Sequence, residues 1–478
     1  MEFDRIVSQK QEQKFAAWLK LFLSKTPEIL SMQIAYQHRP GNPRSACRWK
    51  SGAFNICYRV RYEDGFHLVE KARQEVAVMN YLRQNTSIPV PEVLGSGTCW
   101  SGPYIVMPFV EGVPLSELLK NRSKEGSPVL NAQLSDRSLK RAYREMAILV
   151  LELSKPEFHT IGMAIFVLEL SKPEFHTIGV LEKSEEGFNV TGRPLTFNMN
   201  ELMLSANIHE SNFPTRTFTT ATGYFKSLAL EQISHLRLQK NNAVKDEDDC
   251  RKKFAARYLF QKVVSDVSTN LDKGPFKLYC DDFRPSNVLI DVEKFCVSGA
   301  IDWEFTYVAP AEFSHVAPWW LLLISPEGWE SDFNQFLDRY TPCFRLFLEA
   351  LKESEDKMIE QQTLSEGQRL SPRMEHSMET GLFWVCLAAR RSSMFDEIYW
   401  TFIDNKYFGP FTSLDDRIRL LSEEQREEMN ELNQTRLLYK RGLSNMILSW
   451  FCHHYISPIQ AYQPTLEPTA IMSDKANE

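Results

Sequence analysis

Residues 278–304 constrain the fold more than any other part of the chain. The segment reads LYCDDFRPSNVLIDVEKFCVSGAIDWE, and two short apolar runs, Val288–Ile290 and Cys296–Ile301, flank a turn centred near residues 293–295. Runs of this length and separation predict an antiparallel hairpin. The open end of such a hairpin would bring together the two polar residues that border it, Asn287 and Asp302.

The polar residues at this open end indicate a candidate catalytic site. Asp282 precedes Asn287 by five residues, with Pro285 between them. This spacing is that of the proton-accepting aspartate and the metal-binding asparagine in kinase catalytic loops, whereas Asp281 would give a spacing of six. Oxygen ligands suit Mg²⁺, so we interpret Asn287 and Asp302 as metal ligands and Asp282 as the base that orients a hydroxyl nucleophile. The alternative is a set of ordinary turn and strand-end residues, but the joint pattern favours the functional interpretation.

Length and charge limit the class of protein. A chain of 478 residues is long enough for two hydrophobic cores. The net charge of −7 argues against a nucleic-acid binder and against a polybasic membrane anchor. No apolar run approaches the ~20 residues of a membrane span. The nine cysteines are odd in number and form no C-x-x-C, which predicts reduced thiols in a cytoplasmic protein.

The first part of the chain predicts a small antiparallel sheet that carries one helix. Strand-like runs occur at Ile56–Tyr62, Phe66–Val69, Val90–Leu94 and Tyr104–Met107. Glu70–Arg83 has helical periodicity, and Gly95-Ser-Gly97 is interpreted as a hairpin turn. A helix over residues 10–30, ended by Pro27, precedes the sheet. From Gly112 onward, the pattern is mostly helical apart from the hairpin segment.

A tandem duplication interrupts the helical region. Residues 146–162 are repeated at once by residues 163–179, and sixteen of the seventeen positions agree. Only Leu149 and Phe166 differ. Repeat folds need more and longer copies than this. We interpret the segment as a local duplication, of recent origin or introduced by the gene model, in which one copy is surplus to the core.

The order of these features resembles the aminoglycoside phosphotransferase family, which has the protein-kinase-like fold. The phrases TSIPVPEVLG, YCDDFRPSNVLID and AIDWEFTYVAPAEFS are similar to its large fungal branch, over about residues 45–405. The resemblance implies an α+β fold with a small antiparallel-sheet N-lobe over 45–111 and a larger, mostly helical C-lobe over 112–456. An N-terminal helical extension (1–44) and a disordered tail (457–478) would flank them. The implied activity is ATP- or GTP-dependent, Mg²⁺-dependent phosphorylation of a small-molecule hydroxyl.

The resemblance also implies roles for single residues. It makes Asp282 the catalytic aspartate, and Asn287 and Asp302 the metal ligands. The residues implied for nucleotide binding are Gly52 and Phe54 in a loop over the phosphates, Lys71 as the phosphate-binding base, Glu75 as the helix glutamate that holds this base, and Pro108 and Val110 as hinge residues facing adenine.

Two departures from the family pattern leave alternatives open. Bacterial members usually have H-G-D before the catalytic loop, and Cys280 stands at the position of the histidine. In EDGFHLVEKARQEV, strand and helix abut, so Lys71 could belong to the helix and form only a surface pair with Glu75. The chain is therefore either a small-molecule kinase or a catalytically impaired pseudokinase or binding protein of the same fold. A protein kinase is the third hypothesis, although the aromatic-rich helical C-terminal third suits a pocket for a small substrate.

Overall fold

The computed structural model describes residues 1–51, 56–63, 67–70, 75–122, 128–155, 177–184, 187–267, 271–329 and 332–440. Within these ranges a small antiparallel sheet is followed by a larger, mostly helical region, which confirms the predicted α+β, two-lobed, protein-kinase-like fold. No helix in these ranges is long and apolar enough to cross a membrane. The predicted tail over 457–478 and most of the duplication lie outside the described residues, and the proposed domain boundaries stay predictions.

The first lobe is a five-stranded antiparallel sheet. Its strands are β1 (Pro43–Ser51), β2 (Ile56–Tyr62), β3 (His67–Glu70), β4 (Gly95–Cys99) and β5 (Gly102–Pro108), in the spatial order β1-β2-β3-β5-β4. Helix α1 (Arg5–Ser24) and helix α2 (Pro27–His38) precede the sheet, and α3 (Glu75–Asn85) joins β3 to β4. A small core holds one face of the sheet against α2. Its buried residues are Ile34, Ala35, Val60, Tyr62, Tyr104 and Val106.

Four local predictions for this lobe are wrong. The run Val90–Leu94 is not a strand and precedes β4, which begins at Gly95. Pro27 opens α2 and does not end a helix over residues 10–30, because a proline without an N–H fits the first turn of a helix. Gly95-Ser-Gly97 lies in strand β4 and not in a turn, since it pairs with β5 across a turn at residues 100–101. The predicted start of the helix at Glu70 is also wrong. Glu70 pairs with Val106 as the last residue of β3, and the described part of α3 begins at Glu75.

Helix α1 contacts both lobes. Its N-cap Asp4 accepts hydrogen bonds from the backbone N–H groups of the first turn through Oδ1, at 3.0 and 3.1 Å. The other oxygen, Oδ2, accepts a bond from Asn241 Nδ2 in the second lobe at 2.9 Å. Near the other end, the ring of Phe22 lies 6.0 Å from Tyr58 and 5.8 Å from Trp100, both in the first lobe. The helix therefore spans the molecule from one lobe to the other.

The second lobe is helical around short strand pairs. Its strands are β6 (Val113–Pro114), β7 (Val180–Ser184), β8 (Gly187–Gly192), β9 (Lys277–Cys280), β10 (Val288–Asp291), β11 (Cys296–Ala300) and β12 (Thr306–Ala309). Its helices are α4 (Leu115–Leu119), α5 (Asp136–Ser154), α6 (Phe197–Ser205), α7 (Ala221–Leu238), α8 (Glu247–Val264), α9 (Glu312–His315), α10 (Phe333–Glu360), α11 (Ser371–Thr380), α12 (Leu382–Arg390), α13 (Phe395–Ile398), α14 (Asp404–Phe408), α15 (Leu414–Arg419) and α16 (Glu423–Lys440). The β7–β8 hairpin is absent from the sequence-based prediction, which treats this region as helical.

Strand pairing in the second lobe fixes the segment that carries the candidate site, residues 278–304. Strand β10 pairs with β11 on one side and with β6 on the other, and β9 pairs with β12. All three pairings are antiparallel, and the strands contribute to one continuous hydrophobic core with the helices. The end of β9, the start of β10 and the end of β11 are thereby fixed relative to one another, and these are the points from which the candidate site residues extend.

Candidate active site

The predicted hairpin is present and closes as expected. Val288 lies opposite Ala300 and Asp291 opposite Cys296. At the open end, the Ile301 N–H donates to the carbonyl oxygen of Asn287 at 2.9 Å. Asn287 and Asp302 therefore border the same end of the hairpin.

Asn287 is oriented by the loop that contains Asp282. A short 3₁₀ turn, Pro285–Asn287, follows this loop, and the Asn287 N–H donates to the carbonyl of Arg284 at 2.9 Å. The buried Asn287 side chain donates through Nδ2 to the Asp282 carbonyl oxygen at 2.9 Å and lies 3.4 Å from Asp282 Oδ2. The amide nitrogen is thus directed at Asp282, which leaves the amide oxygen for another ligand.

The Asp282 carboxylate is shielded from solvent and lies among charges. Burial raises the pKa of Asp282, and the nearby Asp302 carboxylate raises it further, whereas Arg284, Arg391 and the Asn287 hydrogen bond lower it. Arg284 Nε lies 3.0 Å from Asp282 Oδ1. A carboxylate in such a setting binds a proton more readily than an exposed one, which suits a group that accepts a proton from a hydroxyl.

The neighbouring Asp281 is committed to other contacts. Its side chain is 5% exposed, its Oδ1 lies 3.4 Å from Arg390 Nη1, and its Oδ2 accepts the Phe197 N–H at 3.1 Å. Its backbone N–H donates to the Phe305 carbonyl at 3.1 Å. The Arg390 guanidinium lies over the Tyr279 ring at 4.7 Å and also contacts its hydroxyl. Asp281 therefore ties the catalytic loop to α6 and α12, and the geometry favours Asp282 as the reacting carboxylate.

Glu75 of the first lobe contacts the segment that carries Asp302. Glu75 is buried, with 2% of the residue exposed. Its carboxylate accepts a hydrogen bond from the backbone N–H of Trp303 through Oε1 at 2.7 Å. Asp302 has a backbone φ of +71°, in the left-handed region that residues other than glycine adopt less often. The Trp303 indole N–H donates to the Ala300 carbonyl at 3.0 Å. The orientation of Asp302 thus depends on a residue more than two hundred positions away.

The predicted hinge residues lie between the lobes. Pro108 ends β5 and pairs with Leu68, and Val110 follows two residues later. A Cβ added to Gly299 of β11 would lie 2.7 Å from Val110 Cγ1, so the hinge packs directly on the catalytic hairpin. Gly52, Phe54 and Lys71 lie outside the described residues. Their predicted roles in phosphate binding therefore stay predictions.

The donors at the hairpin end fit a magnesium ion. Asp302 and Asn287 offer a carboxylate and an amide oxygen, which are hard ligands of the type that Mg²⁺ prefers. In the part of the chain that the structure describes, no group of three or more His, Cys, Asp or Glu residues forms a cage for a metal. A site with few protein ligands suits Mg²⁺, which usually completes its shell with waters and substrate phosphates.

Sequence reasoning missed two features of this site. The first is the tie between Asp281 and Arg390, which lies 109 residues away and carries no local signal. The second is the Glu75 contact with Trp303, because the helix pattern predicts a glutamate at this position but not which backbone group it holds. The Asp-Arg-Pro sequence at 282, 284 and 285 does show locally that a cation lies beside the candidate base.

Comparisons with known proteins identify a family. A model of the phosphotransferase enzyme family, APH, matches residues 57–345. No curated protein sequence matches the chain significantly. Among solved structures, an aminoglycoside phosphotransferase in complex with GDP and kanamycin is 12% identical with a TM-score of 0.38, and the match covers 87% of this chain and 98% of that one.

Two further solved structures are also similar. A macrolide 2′-phosphotransferase from Brachybacterium faecium is 10% identical with a TM-score of 0.35, over 80% of this chain and 99% of that one. A spectinomycin phosphotransferase in complex with ADP and spectinomycin is 10% identical with a TM-score of 0.35, over 87% of this chain and 98% of that one.

Proposed function

Because this chain belongs to the phosphotransferase enzyme family, we propose that it transfers the terminal phosphoryl group of ATP or GTP to a hydroxyl group of a small molecule. The observation that carries the proposal is the convergence of Asp282, Asn287 and Asp302 at the catalytic loop and the open end of one hairpin. We also propose, from the cysteine pattern and the fungal resemblance, a cytoplasmic protein of fungal type.

In the proposed reaction, Asp282 orients the acceptor hydroxyl and takes its proton. The acceptor oxygen forms a bond to the terminal phosphorus, the bond from this phosphorus to the bridging oxygen breaks, and the nucleoside diphosphate leaves with that oxygen. The raised pKa of Asp282 helps it to hold the proton. Burial limits the carboxylate to a few orientations, so much of the rate enhancement would come from positioning.

Asn287 and Asp302 would hold Mg²⁺, whose chemistry is to neutralise negative charge on the phosphate groups. The Asn287 amide is fixed by its bonds to Asp282, and the backbone next to Asp302 is fixed by Glu75. Both ligands would therefore be preorganised before the nucleotide arrives. For the nucleotide we propose Gly52, Phe54 and Lys71 near the phosphates, with Pro108 and Val110 near the adenine or guanine ring.

The second candidate is a protein of the same fold that binds ligands without phosphoryl transfer. The observation that favours it is the short connection between the first-lobe sheet and its helix: β3 ends at Glu70 and the described part of α3 begins at Glu75. A kinase needs a cation at this place, paired to the helix glutamate. Lys71 is the basic residue that we propose for it, and its side chain lies outside the described residues.

A nucleotide-binding experiment separates the two candidates. Thermal unfolding of the full chain is measured with ATP, GTP, ADP or no nucleotide, each with Mg²⁺ and with a chelator. A Mg²⁺-dependent rise in Tm, together with a phosphorylated product from a panel of hydroxyl compounds, supports the kinase. A rise in Tm without any product supports the binding protein. No nucleotide-dependent shift, with Asp282→Asn behaving like the unmodified chain, contradicts both.

A further inference from the structure

Arg391 is a buried cation whose side-chain N–H groups meet no hydrogen-bond acceptor among the described residues. It directly follows α12, and its side chain is 8% exposed. The guanidinium lies over the rings of Phe197, at 4.8 Å, and Trp319, at 5.3 Å. Among the described contacts, its closest carboxylate oxygen is Glu327 Oε1 at 3.9 Å, which is beyond hydrogen-bond range. A guanidinium removed from water is costly unless acceptors meet its N–H groups.

These N–H groups are suited to an anionic ligand. Among the described residues no hydrogen-bond acceptor meets the Arg391 guanidinium, so an acidic group that reaches it would supply the missing acceptor. The two flanking rings fix the plane of the guanidinium, and a planar guanidinium presents paired donors that match a carboxylate or a phosphate. The arrangement is thus a preformed anion receptor of limited exposure.

Arg391 lies on the catalytic side of the second lobe. The ring beneath it belongs to Phe197, whose backbone N–H donates to Asp281, the neighbour of Asp282. The same ring packs edge-to-face against Phe305 at 5.4 Å, three residues after Asp302. A molecule with its hydroxyl at Asp282 therefore has Arg391 within its surroundings.

The acidic groups near Arg391 leave its charge only partly balanced. Glu327 Oε1, which lies 3.9 Å from Arg391 Nη1, also accepts a hydrogen bond from the Ser393 hydroxyl at 3.2 Å. Burial raises the pKa of Glu201 to about 7, so this carboxyl group is only partly ionised at neutral pH. Arg284 is paired with Asp282, so its charge is balanced there. Arg391 is therefore the guanidinium that an acidic group of the acceptor would meet.

We propose that Arg391 binds an acidic group of the acceptor, so that the substrate is a small hydroxyl compound that also carries a carboxylate or a phosphate. The inference rests on the proposed phosphoryl transfer and gives it a substrate class. It sets this chain apart from an enzyme for cationic acceptors, since an ammonium group placed against Arg391 would be repelled. Charge complementarity would then select the substrate before chemistry begins.

The experiment compares four three-carbon hydroxyl compounds of different charge. Glycerate carries a carboxylate, glycerol phosphate carries a phosphate, glycerol is neutral and aminopropanediol is cationic. Their dissociation constants are measured by ligand-observed NMR with the full chain, ADP and Mg²⁺. We expect one of the two acidic compounds to bind at least roughly tenfold more tightly than glycerol, the usual gain from charge-assisted hydrogen bonds, and the preferred acid identifies the group.

Variants assign the preference to Arg391. In Arg391→Gln, the preferred acidic compound should bind about as weakly as glycerol. Arg391→Lys should retain part of the difference in affinity. Arg419→Gln, an exposed arginine of α15 that is paired with Asp416, is the control and should change nothing. Thermal unfolding of each variant shows that it is folded, and the unmodified chain already tests the charge preference if Arg391→Gln fails to fold.

The outcomes separate this inference from the proposed function. Tighter binding of the cationic compound, equal binding of all four, no binding at all, or an acid preference unchanged in Arg391→Gln would overturn the anion site. Acid preference that depends on Arg391, but without any nucleotide-dependent Tm shift or product, would support the site and contradict the phosphotransferase. Nucleotide binding and product formation without a preference for the acidic compounds would support the phosphotransferase and contradict the anion site.

Discussion

The catalytic loop of the second lobe and the sheet of the first lobe are built in different ways. The loop is held by residues far away in sequence: Arg390 contacts Asp281, and Glu75 contacts the residue after Asp302. The sheet is held mostly by near neighbours, because β1, β2 and β3 pair in sequence order and β4 pairs with β5. Among the described residues, the cluster between the sheet and α2 has six buried members, whereas the larger cluster extends through most helices of the second lobe and includes α3.

This difference separates the chemical step from nucleotide binding. The groups proposed for chemistry are fixed by buried contacts at several points, so a single substitution there should act on rate with little effect on the sheet. Three of the residues proposed for nucleotide binding, Gly52, Phe54 and Lys71, belong instead to short connections that follow strands β1 and β3. The comparison therefore predicts larger losses of rate from the loop than from the sheet, and the following experiments test it from the largest expected effect to the smallest.

Asp282→Asn should give the largest effect. The substitution removes the proton acceptor but keeps its size and its hydrogen bond to Asn287, so kcat should fall by roughly 10²–10⁴. Steady-state kinetics measure this, with Asp291→Asn in the hairpin turn as the matched control. Loss of activity in Asp281→Asn with normal activity in Asp282→Asn would show that the other carboxylate reacts.

Lys71→Ala should give the next largest loss. If Lys71 holds the phosphates with Glu75, its removal should lower the rate by about 10²–10³ and abolish micromolar ATP·Mg²⁺ binding. Calorimetric titration measures the binding, and Lys294→Ala, an exposed lysine in the hairpin turn, is the control. Micromolar binding that is indifferent to Lys71→Ala would mean that other groups recognise the phosphates, and the account of the first lobe would then be wrong.

Arg390→Gln should lower the stability of the fold and should affect nucleotide binding less. It leaves the buried Asp281 carboxylate without its ion pair, which typically costs about 3–5 kcal/mol of unfolding free energy. Urea denaturation measures the loss, and Arg419→Gln is the exposed control. A change of less than about 0.5 kcal/mol, the range of ordinary surface substitutions, would show that the tie does not hold the loop.

Glu231→Gln should change how stability depends on pH. Burial raises the pKa of Glu231 to about 8, above its value of about 4.3 in an unfolded chain. The stabilisation is therefore complete at acidic pH and is lost as the pH rises toward about 8, because the unfolded chain ionises first. Relative to the unmodified chain, the variant should lose less Tm between about pH 5 and pH 8. Glu210→Gln, at an exposed position, should follow the unmodified chain, and equal slopes in all three would contradict the raised pKa.

Deletion of residues 163–179 should have the smallest effect. The first copy ends in the same Ile-Gly pair that precedes Val180, so after deletion Ile161 and Gly162 can take the buried places of Ile178 and Gly179. We expect a Tm that is equal or higher, measured by thermal unfolding. A fall of many degrees would show that both copies pack in the core.

The sequence predicts those parts of the site that are local in the chain. The hairpin, the spacing from Asp282 to Asn287 and the position of Asp302 all follow from one segment of 27 residues, because strand periodicity and turn positions are short-range properties. The boundaries at Pro27 and Gly95 were predicted wrongly, since each residue type permits two local structures and tertiary pairing decides between them. The contacts of Asp281, Glu75 and Arg391 join distant elements, which no local pattern encodes.

Helix α1 has a mechanical consequence for any motion between the lobes. Twenty residues of α-helix form a rod about 30 Å long. Asp4 fastens one end of this rod to Asn241, and the Phe22 ring rests on Tyr58 and Trp100 near the other. Any closure of one lobe toward the other must therefore pivot about the rod or displace its aromatic end. The stiffness of this helix would then help to set how far the two lobes can separate.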